Sequence, residues 1–217
     1  MQSMLVIGLG RFGENLAKSL SELGCEVMVV DNDEAHVNAI APYVTRAVIG
    51  DCMDEQVLRA LGVSEFDVCF VCISQFFQSS LEITSLLKEL GAKCVVSKTD
   101  RELHEKFLRK LGADAVVYPE RDMARRTAIR YSMPSALDYI ELTPEYAVFE
   151  IAVPGTWVGK SLRELDVRAK FQVNIIAIKE GTQAIPVLDV NRRFTGTETL
   201  YIACAKKEGV RLADKLL

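Results

Sequence analysis

The chain has 217 residues, 49% hydrophobic and 26% charged, with a formal net charge of −4. That composition excludes a disordered chain, a collagen-like repeat and an acidic tail. The mild acidity argues against a nucleic-acid binder working through a basic face. Six cysteines are too few for a disulfide scaffold, and no apolar run approaches the ~20 residues that span a bilayer. The opening segment, Met1 to Gly8, runs apolar straight into a glycine motif and has no basic start or cleavage-site pattern. It reads as a first strand, so the expectation is a cytoplasmic protein whose cysteines are reduced and mostly packed as small apolar residues.

Short β-branched runs predict strands over 5–8, 27–31, 45–49, 68–73, 94–97 and 115–118. Between them lie amphipathic segments near 12–23, 33–41, 54–61, 77–90 and 101–111, four of them followed by a glycine suited to a left-handed cap: Gly24, Gly62, Gly91 and Gly112. This alternation predicts an α/β domain, a Rossmann-like doubly wound parallel sheet of order 3-2-1-4-5-6. A helix follows near 119–132, with Pro119 at its first position and four arginines; it reads as a connector or dimer helix. Met133-Pro134-Ser135 breaks it, which divides the chain into domains 1–134 and 135–217. The second domain reads as a small α+β unit, with strands over 147–153, 173–178 and 200–205, a capping box at Ser161 and Glu164, and a last helix over 206–217.

The chemistry concentrates at Gly8-Leu-Gly10-Arg11-Phe12-Gly13, with Asp31 at the end of the next strand. The motif follows a strand, opens a helix and has its acid 18 residues on, the context of a dinucleotide fingerprint. Gly8 makes the tight turn, Gly10 lets phosphates approach the backbone, and Gly13 packs the helix on the sheet. Phosphates then sit at the helix N-terminus. Asp31 accepts ribose hydroxyls and, with Asn32-Asp33 bringing no arginine, disfavours a 2′-phosphate. Arg11 is a candidate phosphate clamp. Asp51 and Cys52, Ser74 and Lys98 follow the third, fourth and fifth strands, at the edge where ligands of open α/β folds bind.

Three other features read as structure. Cys69 and Cys72 have C-x-x-C spacing, but an offset of three on a strand puts them on opposite faces. Gly155 to Ser161 resembles a P-loop one residue short and reads as a turn before a capped helix. His36 and His104 fall on predicted helices away from the strand ends, with no nucleophile beside them. A nucleotide site without acid–base machinery points to sensing, and hence to a non-enzyme.

The segments Gly8–Gly13, Val29-Val-Asp31, Ile49-Gly-Asp51 and Pro119-Glu-Arg-Asp-Met123 resemble the N-terminal half of the RCK (regulator of K⁺ conductance) family. Val158-Gly-Lys-Ser-Leu-Arg-Glu-Leu165 and Asn174-Ile-Ile-Ala-Ile178 resemble its C-terminal half, TrkA-C. Within that family the likeness is to the KtrA-like gating subunits of bacterial Ktr and Trk potassium uptake systems. The resemblance implies a homodimer that assembles to an octameric ring on the inner face of the membrane, beneath a K⁺-translocating subunit of the KtrB or TrkH kind. It implies ATP and ADP competing for the Rossmann site, with NAD or NADH as the alternative. By position, Arg11 reaches the γ-phosphate of the nucleotide in the adjacent subunit. Asp31 holds the ribose, and Glu120 lies near the phosphates where a cation such as Mg²⁺ or Ca²⁺ can bind. Cyclic di-AMP is implied for the region of Arg168, Asn174, Ile175, Ile176 and Pro186. The chain departs from the family at Gly196-Thr-Glu-Thr-Leu200, where Gly-Asp-x-Leu is usual; the turn is expected to survive and the aspartate's capping to be lost. Two other readings stay open: an NAD(H)-binding oxidoreductase or redox sensor, and a scaffold with a vestigial site.

Overall fold

The computed structural model describes residues 1–73, 76–132, 136–186 and 189–214. Contacts divide the chain into two units, Met1–Asp122 and Met123–Leu217. The division falls inside the helix that starts at Pro119. The break at Met133–Ser135 lies outside the described residues.

The first unit alternates strand and helix: β1 (Ser3–Ile7), α1 (Arg11–Glu22), β2 (Glu26–Asp31), α2 (Glu34–Ile40), β3 (Arg46–Ile49), α3 (Glu55–Leu61), β4 (Val68–Val71), α4 (Phe77–Glu89), β5 (Val95–Lys98), α5 (Glu102–Lys110) and β6 (Ala115–Val117). Helix α6 (Pro119–Ser132) follows. The six strands form one parallel sheet in the order β3-β2-β1-β4-β5-β6, as the alternation predicts. Both faces are covered, so β1 is apolar on both. Leu5 and Ile7 join one core cluster and Met4 and Val6 the other. The same geometry separates the C-x-x-C pair, with Cys69 in the first cluster and Cys72 in the second. All six cysteines are free. Asp33 and Asp54 cap α2 and α3 by accepting from the amides of Ala35 and Gln56, both at 2.8 Å. The four cap glycines all take positive φ.

The second unit holds β7 (Ala136–Glu141), β8 (Tyr146–Ala152), α7 (Leu162–Leu165), α8 (Val167–Phe171), β9 (Asn174–Glu180), β10 (Gln183–Pro186), β11 (Thr199–Ala205) and α9 (Lys206–Asp214). Its five strands form an antiparallel sheet in the order β10-β9-β11-β8-β7. The two edge strands, β7 and β10, were not expected from the sequence. β10 is exposed at all four positions and so shows no buried alternation, and its Pro186 is tolerated only at an edge. The core lies on one face, where Phe149, Ile151, Leu200, Ile202 and Leu212 pack together. A Cβ on Gly209 of α9 would meet the Phe149 ring at 2.2 Å, so only glycine lets that helix lie so close.

The P-loop lookalike is structural. Gly155–Trp157 forms one 3₁₀ turn with Trp157 buried against Phe171 and Phe194. Ser161 and Glu164 then complete the capping box of α7. The turn at Gly196 corrects one expectation. Glu198 is 2% exposed, and its carboxylate accepts from the Thr195 hydroxyl (2.6 Å), the Gly196 amide (2.7 Å) and the Thr195 amide (2.9 Å). Capping is retained, supplied by a glutamate one residue later and one methylene longer than the usual aspartate. Burial pushes this carboxyl up, but the hydrogen bonds outweigh it and hold it down at about 2.

Candidate functional site

Three residues, Gly8 to Gly10, separate the end of β1 from the start of α1, and that turn shapes the site. Gly8 sits at φ +93°, and a Cβ there would lie 2.8 Å from Ile73. A Cβ on Gly13 would fall 1.9 Å from the Gly8 carbonyl oxygen, so α1 rests directly on the turn. Gly10 differs: a Cβ there would meet nothing within 4 Å. The space above it is room for a ligand. Gly10 also caps α1 without a side-chain hydrogen bond, so the amides of the first turn stay available to an anion.

That space is part of a crevice of about 610 Å³ along the C-terminal edge of the sheet. It takes in Gly8, Gly10, Arg11, Phe12, Asp31, Asn32, Asp51, Cys52, Lys98 and Glu120. Gly13 lies behind the turn, buried against Cys72. Ser74 lies outside the described residues. The size is ordinary for a cofactor site.

The two ends of the crevice differ in charge. Around Asp31 the lining is acidic, with Asp33 and Asp51. The Asp31 carboxylate is fixed by two amides, Leu9 N–H on Oδ2 at 2.5 Å and Asp33 N–H on Oδ1 at 2.8 Å. Asp31 therefore ties the glycine turn to the end of β2 as well as facing the crevice. At the other end stand Arg11, the α1 N-terminus and Lys98. Arg11 is exposed and has no ion pair among the described residues. Lys98 is 8% exposed; its ammonium lies 2.8 Å from Glu120 Oε1 and 5.8 Å from the centre of the Phe12 ring. The Lys98 hydrogen bond holds the Glu120 carboxyl below its ordinary range. Among the described residues no cluster of three or more His, Cys, Asp or Glu side chains could hold a metal ion. The Glu120 carboxylate is engaged by Lys98. Two thiols line the floor, and burial pushes both Cys52 and Cys72 up to about 12, so neither is a nucleophile at neutral pH.

Residues 4–119 match the TrkA-N domain family and residues 146–217 the TrkA-C domain family. Ktr system potassium uptake protein C of Bacillus subtilis is 47% identical over 180 residues, covering 83% of this chain and 81% of that protein. The chain belongs to the TrkA-N/TrkA-C family of Ktr potassium uptake proteins. Ktr system potassium uptake protein A of the same organism is 41% identical over 174 residues, covering 80% of this chain and 78% of that one. Two structures of the GsuK channel, one bound to NAD, share the fold. Their TM-scores are 0.71 and 0.64 at 21% and 20% identity, covering 97% and 95% of this chain. The chain spans 38% of each GsuK chain. Among its described residues no helix is long and apolar enough to cross a membrane.

The TrkA-N unit also places residues that sequence reasoning missed. His36 was expected away from the strand ends; it lines the crevice instead. The cause is local: α2 starts three residues after Asp31, and His36 is three residues from the cap Asp33, on the same helix face. That spacing was the available signal. Ile73, Phe76 and Ser79 line the β4 side, where β4 hands over to α4. His104 stays outside, stacked on Phe77 at 3.4 Å between ring centres.

In the TrkA-C unit, Arg168 and Asn174 share a depression of about 400 Å³ with Arg163 and Asp166. Ile175 packs partly buried against the core. Ile176 is 47% exposed and Pro186 is exposed on β10; neither lines that depression.

Proposed function

We propose that this chain is a nucleotide-sensing gating subunit of a potassium uptake system, working at the cytoplasmic face of the membrane beside a K⁺-translocating subunit. One observation carries the reading. The open space above Gly10, the uncapped start of α1 and the acid at the end of β2 all meet in one crevice. The names of the potassium uptake relatives and the NAD-bound GsuK structure support it. The ligand is ATP or ADP. Its ribose lies against the Asp31 end and its phosphates run over Gly10 to the first turn of α1. There they compete with Glu120 for the Lys98 ammonium.

Gating requires a ligand that prefers one conformation, and only by the ratio of its affinities. ATP and ADP differ in the terminal phosphate, so the discriminating group must touch it. Arg11 is that group, reaching the nucleotide of an adjacent subunit in a homodimer that builds an octameric ring. A cation at Glu120 needs further ligands from the phosphates or a second copy. Cyclic di-AMP binds the TrkA-C unit, with Arg168 and Asn174 as polar contacts. The nucleotide is sensed and not consumed.

Titration calorimetry on the whole chain tests this. Wild type binds both nucleotides, and Arg11→Ala weakens ATP about ten-fold more than ADP, the size of one charge-assisted contact. Equal losses would remove the clamp. Oxidation of NADH by a small carbonyl substrate would favour a dehydrogenase instead.

A further inference from the structure

His36 stands at the ribose end of the crevice with its Nδ1 3.9 Å from Asp31 Oδ1 and 3.9 Å from Asp33 Oδ2. Both distances are too long for a direct hydrogen bond. Both fit one intervening oxygen: an atom at hydrogen-bond distance from Nδ1 and from Asp31 Oδ1 would see them at about 90°. Each carboxylate already spends part of its capacity on the backbone, Asp31 on the amides of Leu9 and Asp33, and Asp33 on that of Ala35. The Asp31 side chain is 12% exposed and held in place, whereas His36 is 53% exposed and faces the opening. Asp31 therefore offers acceptors only, from a fixed position. A hydroxyl can donate to it, but its own lone pairs would be left without a donor. His36 is the donor the structure places there.

We propose that His36 and Asp31 form a two-sided seat for one ribose hydroxyl, which donates to Asp31 Oδ1 and accepts from His36 Nδ1–H. The seat rests on the crevice being the nucleotide site. His36 is then a selectivity residue: it makes the site read the sugar as well as the phosphates. Three carboxylates face the imidazole, Asp31 from β2, Asp33 from the α2 cap and Glu14 from α1, the last paired with Lys18 at 2.6 Å.

The test pairs a substitution in the protein with an atom removed from the ligand. Calorimetry on the full chain measures ADP, 2′-deoxy-ADP and 3′-deoxy-ADP against wild type and His36→Ala. Alanine is well tolerated at an exposed helix position, so the variant folds. In wild type one of the deoxy analogues binds at least five-fold more weakly than ADP. In His36→Ala the penalty for that same analogue falls to within two-fold, and His36→Gln, which keeps an N–H donor, restores part of it. A penalty of equal size in both proteins overturns the seat, as does a wild type that ignores both missing hydroxyls. A wild type that binds no ADP removes the nucleotide reading itself, and the seat with it. A wild type that binds ADP without a sugar preference removes the seat alone.

Discussion

At Glu198 one methylene and one step along the chain separate the expected turn from the observed one. The side chain folds back to accept from the amides of Thr195 and Gly196, and burial makes those hydrogen bonds obligatory. Its folded pKa of about 2 lies below the ordinary value of 4.5. The sign follows: the contribution to stability is complete above about 4.5 and is lost as pH falls through about 2. Its size is on the order of 3 kcal/mol. Glu198→Gln is therefore expected to lower the denaturation midpoint at pH 7, and the gap to wild type should narrow as pH falls below about 4.5 and close only near 2. A gap independent of pH would mean that the carboxylate charge plays no part. Lys98 and Glu120 form the other pair with consequence, because a buried ammonium beside an exposed carboxylate can exchange that partner for a phosphate.

The start of α1 divides its glycines by task. Gly13 carries packing and Gly10 carries ligand space. Gly13→Ala forces α1 off the Gly8 carbonyl and is expected to cost about 2 kcal/mol or more, as overpacked sites do. Gly10 has φ −61° and ψ 174°, which alanine adopts freely. Gly10→Ala should keep the melting temperature within about 2 °C of wild type while weakening adenine nucleotides at least ten-fold, since the methyl fills the phosphate path. Thermal melts and calorimetry on the two variants separate the tasks. Nucleotide affinity unchanged in Gly10→Ala would place the phosphates elsewhere. The Asp31 end of β2 belongs to the same element-scale design: two amides hold the carboxylate, so the strand end and the turn move as one piece.

On the scale of the whole molecule, gating by differential affinity makes a measurable demand. A ten-fold preference biases a two-state equilibrium by only ~1.4 kcal/mol per site. A ring of linked sites sums that bias. Sedimentation and small-angle scattering on the purified chain should show an assembly beyond the dimer whose dimensions differ between ATP and ADP. Arg11→Ala should erase that difference without dispersing the assembly. Identical profiles with both nucleotides in wild type would uncouple the crevice from the quaternary state.

The sequence by itself determined the parallel sheet, because near-continuous apolar strands alternate with helices, and its order, because the glycine fingerprint follows the first of six strands. It also determined the glycine turn with its acid, since those residues are close in the chain and answer to local backbone geometry. Residues that line the crevice from the strand ends were legible for the same reason. What only the tertiary structure decided depends on neighbours distant in sequence or on partial burial. The edge strands β7 and β10 pair with strands whose position no local pattern reveals. Lys98 meets Glu120 across 22 residues of chain. His36 turns from a bland helical residue into a lining one because α2 starts so soon after β2. Local conformational preference is written in the chain; which side chains share a volume is settled by packing.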